Sequence, residues 1–487
     1  MQRTSADGVT VLWTPAPTPG PLTAQLSFGT GVRDETAPTL GVTRVIEGLV
    51  MSEAGNRPHP YGSNLRDDVI EFTAKGTPED VTGFLLTICH ALSDLPLHHT
   101  EHVTAALAGL PAQNAANHPA APLRARYGPH AAGLITYEHP GSYATLTPET
   151  VRAHAAAHLT RGNAVLALDG PPPPGLALPL PDGPPPRRTT PRTRPHVSGT
   201  WQRRPLDTVS LLLTCDASDA AATMAQLVLR RRVDRAVHRT AHTGAHWFLR
   251  DQNTLDLVLA VHPRPGRARE TAVTLWQETL RLTRKGPAQA ELDALTDAIR
   301  SEAGPLWGSR RPFERAVLAE HFAIPYLDDD TLIKSHATVT PQAVRTYLEH
   351  ALPDSVLVVP QQTQLHLRTP NGSLLPNSDC WRPHGQHPPT PGTRHRMNPL
   401  RRAVTRRSHQ GEYVLTPWGI VIRDAHRDEH DIRFDETALV RHEGPGRTVL
   451  TGCGCQMHLH PDQVTHGQRL IAALDAAVPA HLVHTIG

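Results

Sequence analysis

With 487 residues the chain is about three times the length of a typical domain, which excludes a peptide hormone or a disulfide-stapled miniprotein. Hydrophobic residues at 39%, charged residues at 19%, 47 prolines and 35 glycines describe a globular chain interrupted by stiff connections, not a disordered one. Basic residues number 48 against 46 acids, so the net charge of +2 gives no general attraction to nucleic acid or an anionic membrane, and aromatics at 4% leave few stacking platforms. Five cysteines (Cys89, Cys215, Cys380, Cys453, Cys455) are odd in number and mostly far apart, which suits a reducing compartment. No apolar run reaches the length of a transmembrane helix, and residues 1–20 carry no leader pattern. A cytoplasmic protein without a transmembrane segment is expected.

In chain order, a short apolar run over residues 9–13 is followed by a strand-like run from Leu26 and a helix from about Gly41. Thr77, Thr147 and Thr340 each precede a proline, an N-cap hydroxyl followed by a residue that loses no amide donor at the first helical position. After Thr77, the residues Val81, Phe84, Leu85, Ile88 and Leu92 recur at helical spacing. Eleven prolines between Pro171 and Pro195 exclude helix or central strand, and seven more between 361 and 399 mark a second connection. The expected organisation is a first domain over 1–170, a linker over 171–196, a second domain over 197–360, a linker over 361–396 and a small domain over 397–487. The segment LTPETVR at 146–152 matches VTPQAVR at 339–345, and each precedes a helical run and an apolar strand, so the first two domains read as copies of one design. The last block alternates short β-like runs with turn residues and closes on a helix from about Gln463 to Ala477.

Residues 26–51, LSFGTGVRDETAPTLGVTRVIEGLVM, resemble the opening of the insulinase-like, pitrilysin-type zinc peptidases: a strand, a GSRDE-like turn written here Gly31-Val32-Arg33-Asp34-Glu35, and a Gly-led helix that carries HxxEH. The resemblance continues through the Thr77 helix, residues 142–168 and the second copy. It implies an α+β fold: two tandem peptidase-like domains, each an antiparallel-rich sheet backed by helices, closing around an unfolded peptide. The tail is more faintly similar to a pleckstrin-homology-like domain, a small β-barrel-like unit plugged by its last helix.

The helix can be tested residue by residue. Val42, Val45, Ile46 and Leu49 gather on one face and Arg44, Glu47, Gly48 and Met51 on the other. In HxxEH two histidines bind zinc and the Glu acts as general base, but here the histidine positions hold Arg44 and Gly48. A guanidinium has no lone pair to give and glycine has no side chain. The family's third ligand, a downstream Glu, has no counterpart, because residues 102–137 contain no acid. Glu47 then reads as an i, i+3 ion-pair partner of Arg44, or as a relic carboxylate facing peptide. No catalytic residue, metal or cofactor is expected at this degenerate motif.

The second copy of such proteins carries an Arg and a Tyr that grip the substrate backbone. At the matching place Trp247 stands for the Tyr and Arg239 lies one residue out of step, and a helix-end arginine with a packed tryptophan is the other reading of the same residues. His238, His242 and His246 have helical spacing that Gly244 would interrupt. Cys453, Cys455, His458 and His460 look like a ligand cluster, but on one strand the cysteines and histidines would face opposite ways, so structural cysteines are expected. Arg401, Arg402, Arg406 and Arg407 read as solvated charge or as a patch for an anionic partner. Together these features imply a catalytically inactive peptidase-like subunit that binds peptide or supports an active HxxEH partner in a heterodimer. Bacterial relatives of this kind process peptides such as leader sequences. The alternatives are a free-standing protein-binding scaffold, an active metallopeptidase with a rebuilt metal site, and a membrane-surface adaptor acting through the tail.

Overall fold

The computed structural model describes residues 1–15, 20–109, 118–135, 140–188, 190–237, 243–301, 312–382, 391–397, 411–424 and 428–486. Four sheets organise them. The first contains β1 (Gln2–Ala6), β2 (Val9–Trp13), β3 (Leu22–Phe28), β4 (Tyr61–Leu65), β5 (Ile70–Gly76) and β6 (Ala164–Leu168) in the order β1-β2-β6-β3-β5-β4. The second contains β7 (Thr200–Arg204), β8 (Val209–Asp216), β9 (Thr243–Leu249), β10 (Thr254–Val261) and β11 (Val356–Pro360) in the order β7-β11-β8-β10-β9. Strand for strand the second repeats the first without β1: β2 and β6 are parallel, as are β7 and β11, and the remaining neighbours are antiparallel. The architecture is α+β, as expected, and the strand order carries the duplication suggested by the repeated helix starts.

Local chemistry accounts for the helices that back these sheets. Thr77, Thr147 and Thr340 accept from the amides of Asp80, Thr150 and Ala343 at 3.2, 3.3 and 3.1 Å and start the helices Pro78–Ser93, Pro148–His158 and Pro341–Ala351. The last two deliver the chain to β6 and β11, the inner parallel strands of the two sheets. Val81, Phe84, Leu85 and Ile88 are buried against Val42, Val45, Ile46 and Leu49 of the helix Val42–Ala54 and against Phe28 and Phe72 of the sheet. Burying one such side chain contributes about 1.5–3 kcal/mol.

The opposite face of each sheet is covered from the other half. The helix Pro312–Phe322, from the second half, lays Ala316 and Val317 on Leu12, Val165 and Ala167 of the first sheet. Residues 118–135, from the first half, lay Ala121, Leu123 and Tyr127 on Leu212, Phe248, Val258 and Val358 of the second. Under that cover Asp256, with no exposed surface, receives the Arg126 guanidinium at 2.5 Å, that of Arg250 at 2.8 Å and the Tyr127 hydroxyl.

Both proline-rich stretches are more structured than a linker reading implies. Leu178 and Leu180 are buried in the core of the first half, because the prolines fix an extended path that sets these leucines against it. In 361–396, Leu365, Leu367 and Leu375 join the core of the second half, and β12 (Thr393–Arg396) is the first strand of the third sheet. That sheet continues through β13 (Glu412–Thr416), β14 (Gly419–Arg423) and β15 (Glu429–Arg433). The fourth consists of β16 (Leu439–Glu443), β17 (Gly446–Leu450), β18 (Gln456–Leu459) and β19 (Val483–Ile486), with β19 parallel to β16. Ile420, Ile432, Val440 and Val449 close a small core with Leu470, Ile471 and Leu474 of the helix Gly467–Ala477. That helix starts at Gly467, because Pro461–Gln463 forms a separate short turn of helix where the sequence suggested its first residues. Among the described residues no helix is long and apolar enough to cross a membrane.

Candidate functional site

The helix Val42–Ala54 is held at its start by the turn before it. Gly41, at φ +90°, takes a backbone angle that glycine tolerates, and the Glu35 carboxylate accepts from the amides of Gly41 and Thr43 at 2.7 and 3.0 Å. A carboxylate at a helix start satisfies orphan donors and complements the dipole. Arg33, two residues earlier, donates to the Leu249 carbonyl at 2.8 Å and lies 5.2 Å from the centre of the Phe248 ring. The RDE turn therefore caps the helix and joins the two halves.

On the helix, Arg44 and Glu47 form an ion pair at 3.6 Å with both side chains partly covered. The guanidinium puts a fixed positive charge beside the carboxylate. Gly48 is closed rather than vacant: a Cβ there would lie 2.7 Å from Val103 Cγ1, on the crossing helix Thr100–Ala108. A histidine at position 48 would have to displace Val103 before reaching anything. Behind the helix, His154 lies 3.2 Å from Thr43 Oγ1 and 4.5 Å, ring to ring, from His158. Burial pushes the His154 imidazole down to about 3, so it is neutral at pH 7.

Trp247 lies on β9, an end strand of the second sheet, and lines a cleft of 340 Å³ between the halves with Asp67, Asp68, His118 and His246. His246 Nε2 is 2.9 Å from Asp67, whose carboxyl is held below the usual carboxylate range by His246 against the opposing effect of burial. Burial pushes the Asp68 carboxyl up. The cleft has the size of a small-molecule pocket. Arg239, His238 and His242 lie outside the described residues, as do Arg401, Arg402, Arg406 and Arg407. The helical alignment considered for His246 does not form: the helix ends at Ala236, and Thr243–Leu249 is a strand because its residues pair with β10 in register.

The tail cluster is also rearranged. His458, on β18, turns to Thr448 at 2.8 Å, and His460 accepts from the Asp462 amide at 3.2 Å. Cys453 and Cys455 precede β18, in a turn, so the strand alternation expected to separate ligands does not apply to them. They meet Cys380 and His430 instead, partners 73 and 23 residues before Cys453, which no local spacing could have revealed.

No protein-family model and no curated protein matches the sequence. Solved structures do match. The inactive domain of an M16 peptidase from Pseudomonas fluorescens is 18% identical with a TM-score of 0.59 over 75% of this chain and 98% of that one. A chain of complex III2 from Candida albicans is 14% identical with a TM-score of 0.57 over 74% and 95%. Pitrilysin is 11% identical with a TM-score of 0.54 over 74% of this chain and 44% of its own. At these identities the likeness is one of fold, and it covers about three quarters of the chain: the chain has the fold of the pitrilysin-type M16 peptidases, with Arg44, Glu47 and Gly48 on the helix where the sequence resemblance places a metal motif.

Proposed function

We propose that this protein is a non-hydrolytic peptidase-like subunit that holds an extended peptide beside a related subunit whose helix keeps HxxEH. The observation that carries the reading is the packing at the altered motif. An Arg44–Glu47 ion pair and Val103 against Gly48 fill the ground a zinc-bound water would need, while the surrounding fold is intact. β4 ends the first sheet, where among the described residues it pairs with β5 alone, and it packs against the altered helix. A peptide adding to that free edge would gain main-chain hydrogen bonds without any metal. The 44% coverage of pitrilysin supports the partner, since that single chain is more than twice the matched length. Trp247 and Arg239 would face the shared peptide path. Processing of leader-type peptides in a bacterial cytoplasm is the finer form of the same reading. An active metallopeptidase rebuilt on this helix has the packing of Val103 against it.

The test is co-expression with a related subunit that carries intact HxxEH. Cleavage of a peptide panel should require both chains, persist with Glu47→Gln here and stop with the equivalent Glu→Gln in the partner. Full activity of the partner alone, with the two chains eluting separately at micromolar concentration, would leave the free-standing scaffold in place of the partner reading. Turnover by this chain alone that Glu47→Gln abolishes would make it a hydrolase.

A further inference from the structure

The ligand atoms of Cys380, His430, Cys453 and Cys455 all lie within 4.8 Å of one another, although the residues come from three separate parts of the chain. Cys380 belongs to the segment after β11 that is fastened to the second half. Next to it Asp379 accepts from the Arg203 amide and guanidinium, both at 2.5 Å, and the Ser378 amide donates to the Trp201 carbonyl at 2.9 Å. His430 is buried on β15 with Nε2 3.4 Å from Cys453 Sγ, and its ring stands 5.2 Å from that of Trp381. Cys453 and Cys455 sit in the turn between β17 and β18. There the Gly454 amide donates to the Thr451 carbonyl at 2.8 Å, and Gly454 at φ +81° lets the chain double back so that both sulfurs reach the same point.

From this geometry we propose that Cys380, His430, Cys453 and Cys455 bind one structural zinc ion that fastens the C-terminal β-rich block to the second half. Three sulfurs and one nitrogen make a closed tetrahedral set, the type of structural rather than catalytic zinc. The mutual spacing is that of donors around a single ion. On binding, each cysteine gives up its Sγ proton and forms an Sγ–Zn bond, and His430 contributes the Nε2 lone pair, so up to three protons leave as one dication enters. The resulting site carries one net negative charge. Two guanidinium groups face it: Arg204 Nη1 lies 3.4 Å from Cys455 Sγ and Arg194 Nη2 lies 3.6 Å from Cys380 Sγ. Such outer groups orient ligands and tune a metal site. Arg204 stands on β7, and Arg194, near the end of the first proline-rich stretch, also donates to the Ala125 carbonyl at 2.9 Å, so the groups around the site are tied to the first half as well as the second. A neighbouring cavity of 760 Å³, lined by Cys380, Trp381, Arg204 and Cys455, gives an ion a way in. The proposal is independent of the peptide-holding reading, since none of these residues belongs to the altered motif or lines the Trp247 cleft.

The experiment is elemental analysis of the full-length chain purified from zinc-supplemented medium after a brief chelator wash. One zinc per chain is expected, lost with Cys455→Ser or His430→Ala and kept with Cys89→Ala and Gly48→Ala. In parallel, the wild-type chain is stripped of metal and refilled with cobalt, which should give the thiolate charge-transfer and ligand-field absorption of a tetrahedral sulfur-rich site. That measurement decides the matter even if the cysteine variants fail to fold. Zinc that persists in the Cys453→Ser, Cys455→Ser double variant would overturn the assignment. So would stoichiometric iron with acid-labile sulfide, or a disulfide among the three cysteines in chains whose thiols were blocked at lysis.

Discussion

Gly48→Ala separates a metal position that has been packed shut from one that has merely lost its ligands. Replacing a glycine inside a helix by alanine ordinarily gains about 1 kcal/mol, because the unfolded chain loses more freedom than the folded one. Here the new methyl would sit 2.7 Å from Val103 Cγ1, inside the distance at which carbon atoms coexist, and overpacking of this kind costs about 1–3 kcal/mol. The expected net effect is a destabilisation of about 0–2 kcal/mol. Val103→Ala alone removes two methyl groups from a buried position and should cost about 1.5 kcal/mol in transfer free energy plus a cavity contribution. In that background the obstacle is gone, so Gly48→Ala should recover its gain of about 1 kcal/mol, a coupling of about 1–3 kcal/mol between the two sites. Native-state hydrogen exchange of the amides in Val42–Ala54 is the suitable assay, because a chain of several units need not unfold in one step. Equal stabilisation by Gly48→Ala in both backgrounds would show that the space beside the helix is open, and the packing reasoning would fail.

Asp256→Asn should destabilise the contact between the halves by about 3 kcal/mol, since it takes the buried carboxylate from both Arg126 and Arg250 and leaves Arg126 only the more exposed Asp354 at 3.5 Å. Denaturant unfolding should show the loss, and a change below about 1 kcal/mol would mean that the network contributes little. His154 gives a pH signature. Its folded value is pushed down to about 3, so between about 6.5 and 3 the unfolded chain binds a proton that the folded chain does not. Its contribution is therefore fully present above about pH 6.5 and declines as the pH falls towards 3, at up to about 1.4 kcal/mol per pH unit. His154→Gln should flatten the acid limb of a stability profile by that amount, and an unchanged limb would show that His154 already carries its proton in the folded chain.

Helix starts were legible in the sequence because capping is local chemistry: a threonine before a proline declares its role within four residues, and Thr77, Thr147 and Thr340 perform it. The repeated strand order was legible because its halves recur in the same sequence order. The change at the motif was equally open to reading, since Arg44 and Gly48 exclude imidazole chemistry by their identity alone. That Val103 fills the gap was not, because the contact depends on how two helices cross. Cys453 and Cys455 drew notice as a pair, yet the alternation of a strand was applied to residues that lie in a turn, and Cys380 and His430 are joined to them only by tertiary structure. Arg33 shows the same limit: its place in the RDE turn was visible, and its bond to the Leu249 carbonyl across the two halves was not.

The exchange of covers between the halves has a consequence for how the chain is made. When β6 leaves the ribosome the first sheet has all its strands, but the helix Pro312–Phe322 that shields Leu12, Val165 and Ala167 lies about 150 residues further on, roughly 8–30 s at ordinary rates of synthesis. Through that interval the nascent first half presents an apolar sheet face to its surroundings, and the segment 118–135, already made, waits for a second sheet that does not yet exist. The time for which that face lacks its native cover is therefore set by the distance along the chain between β6 and Ala316.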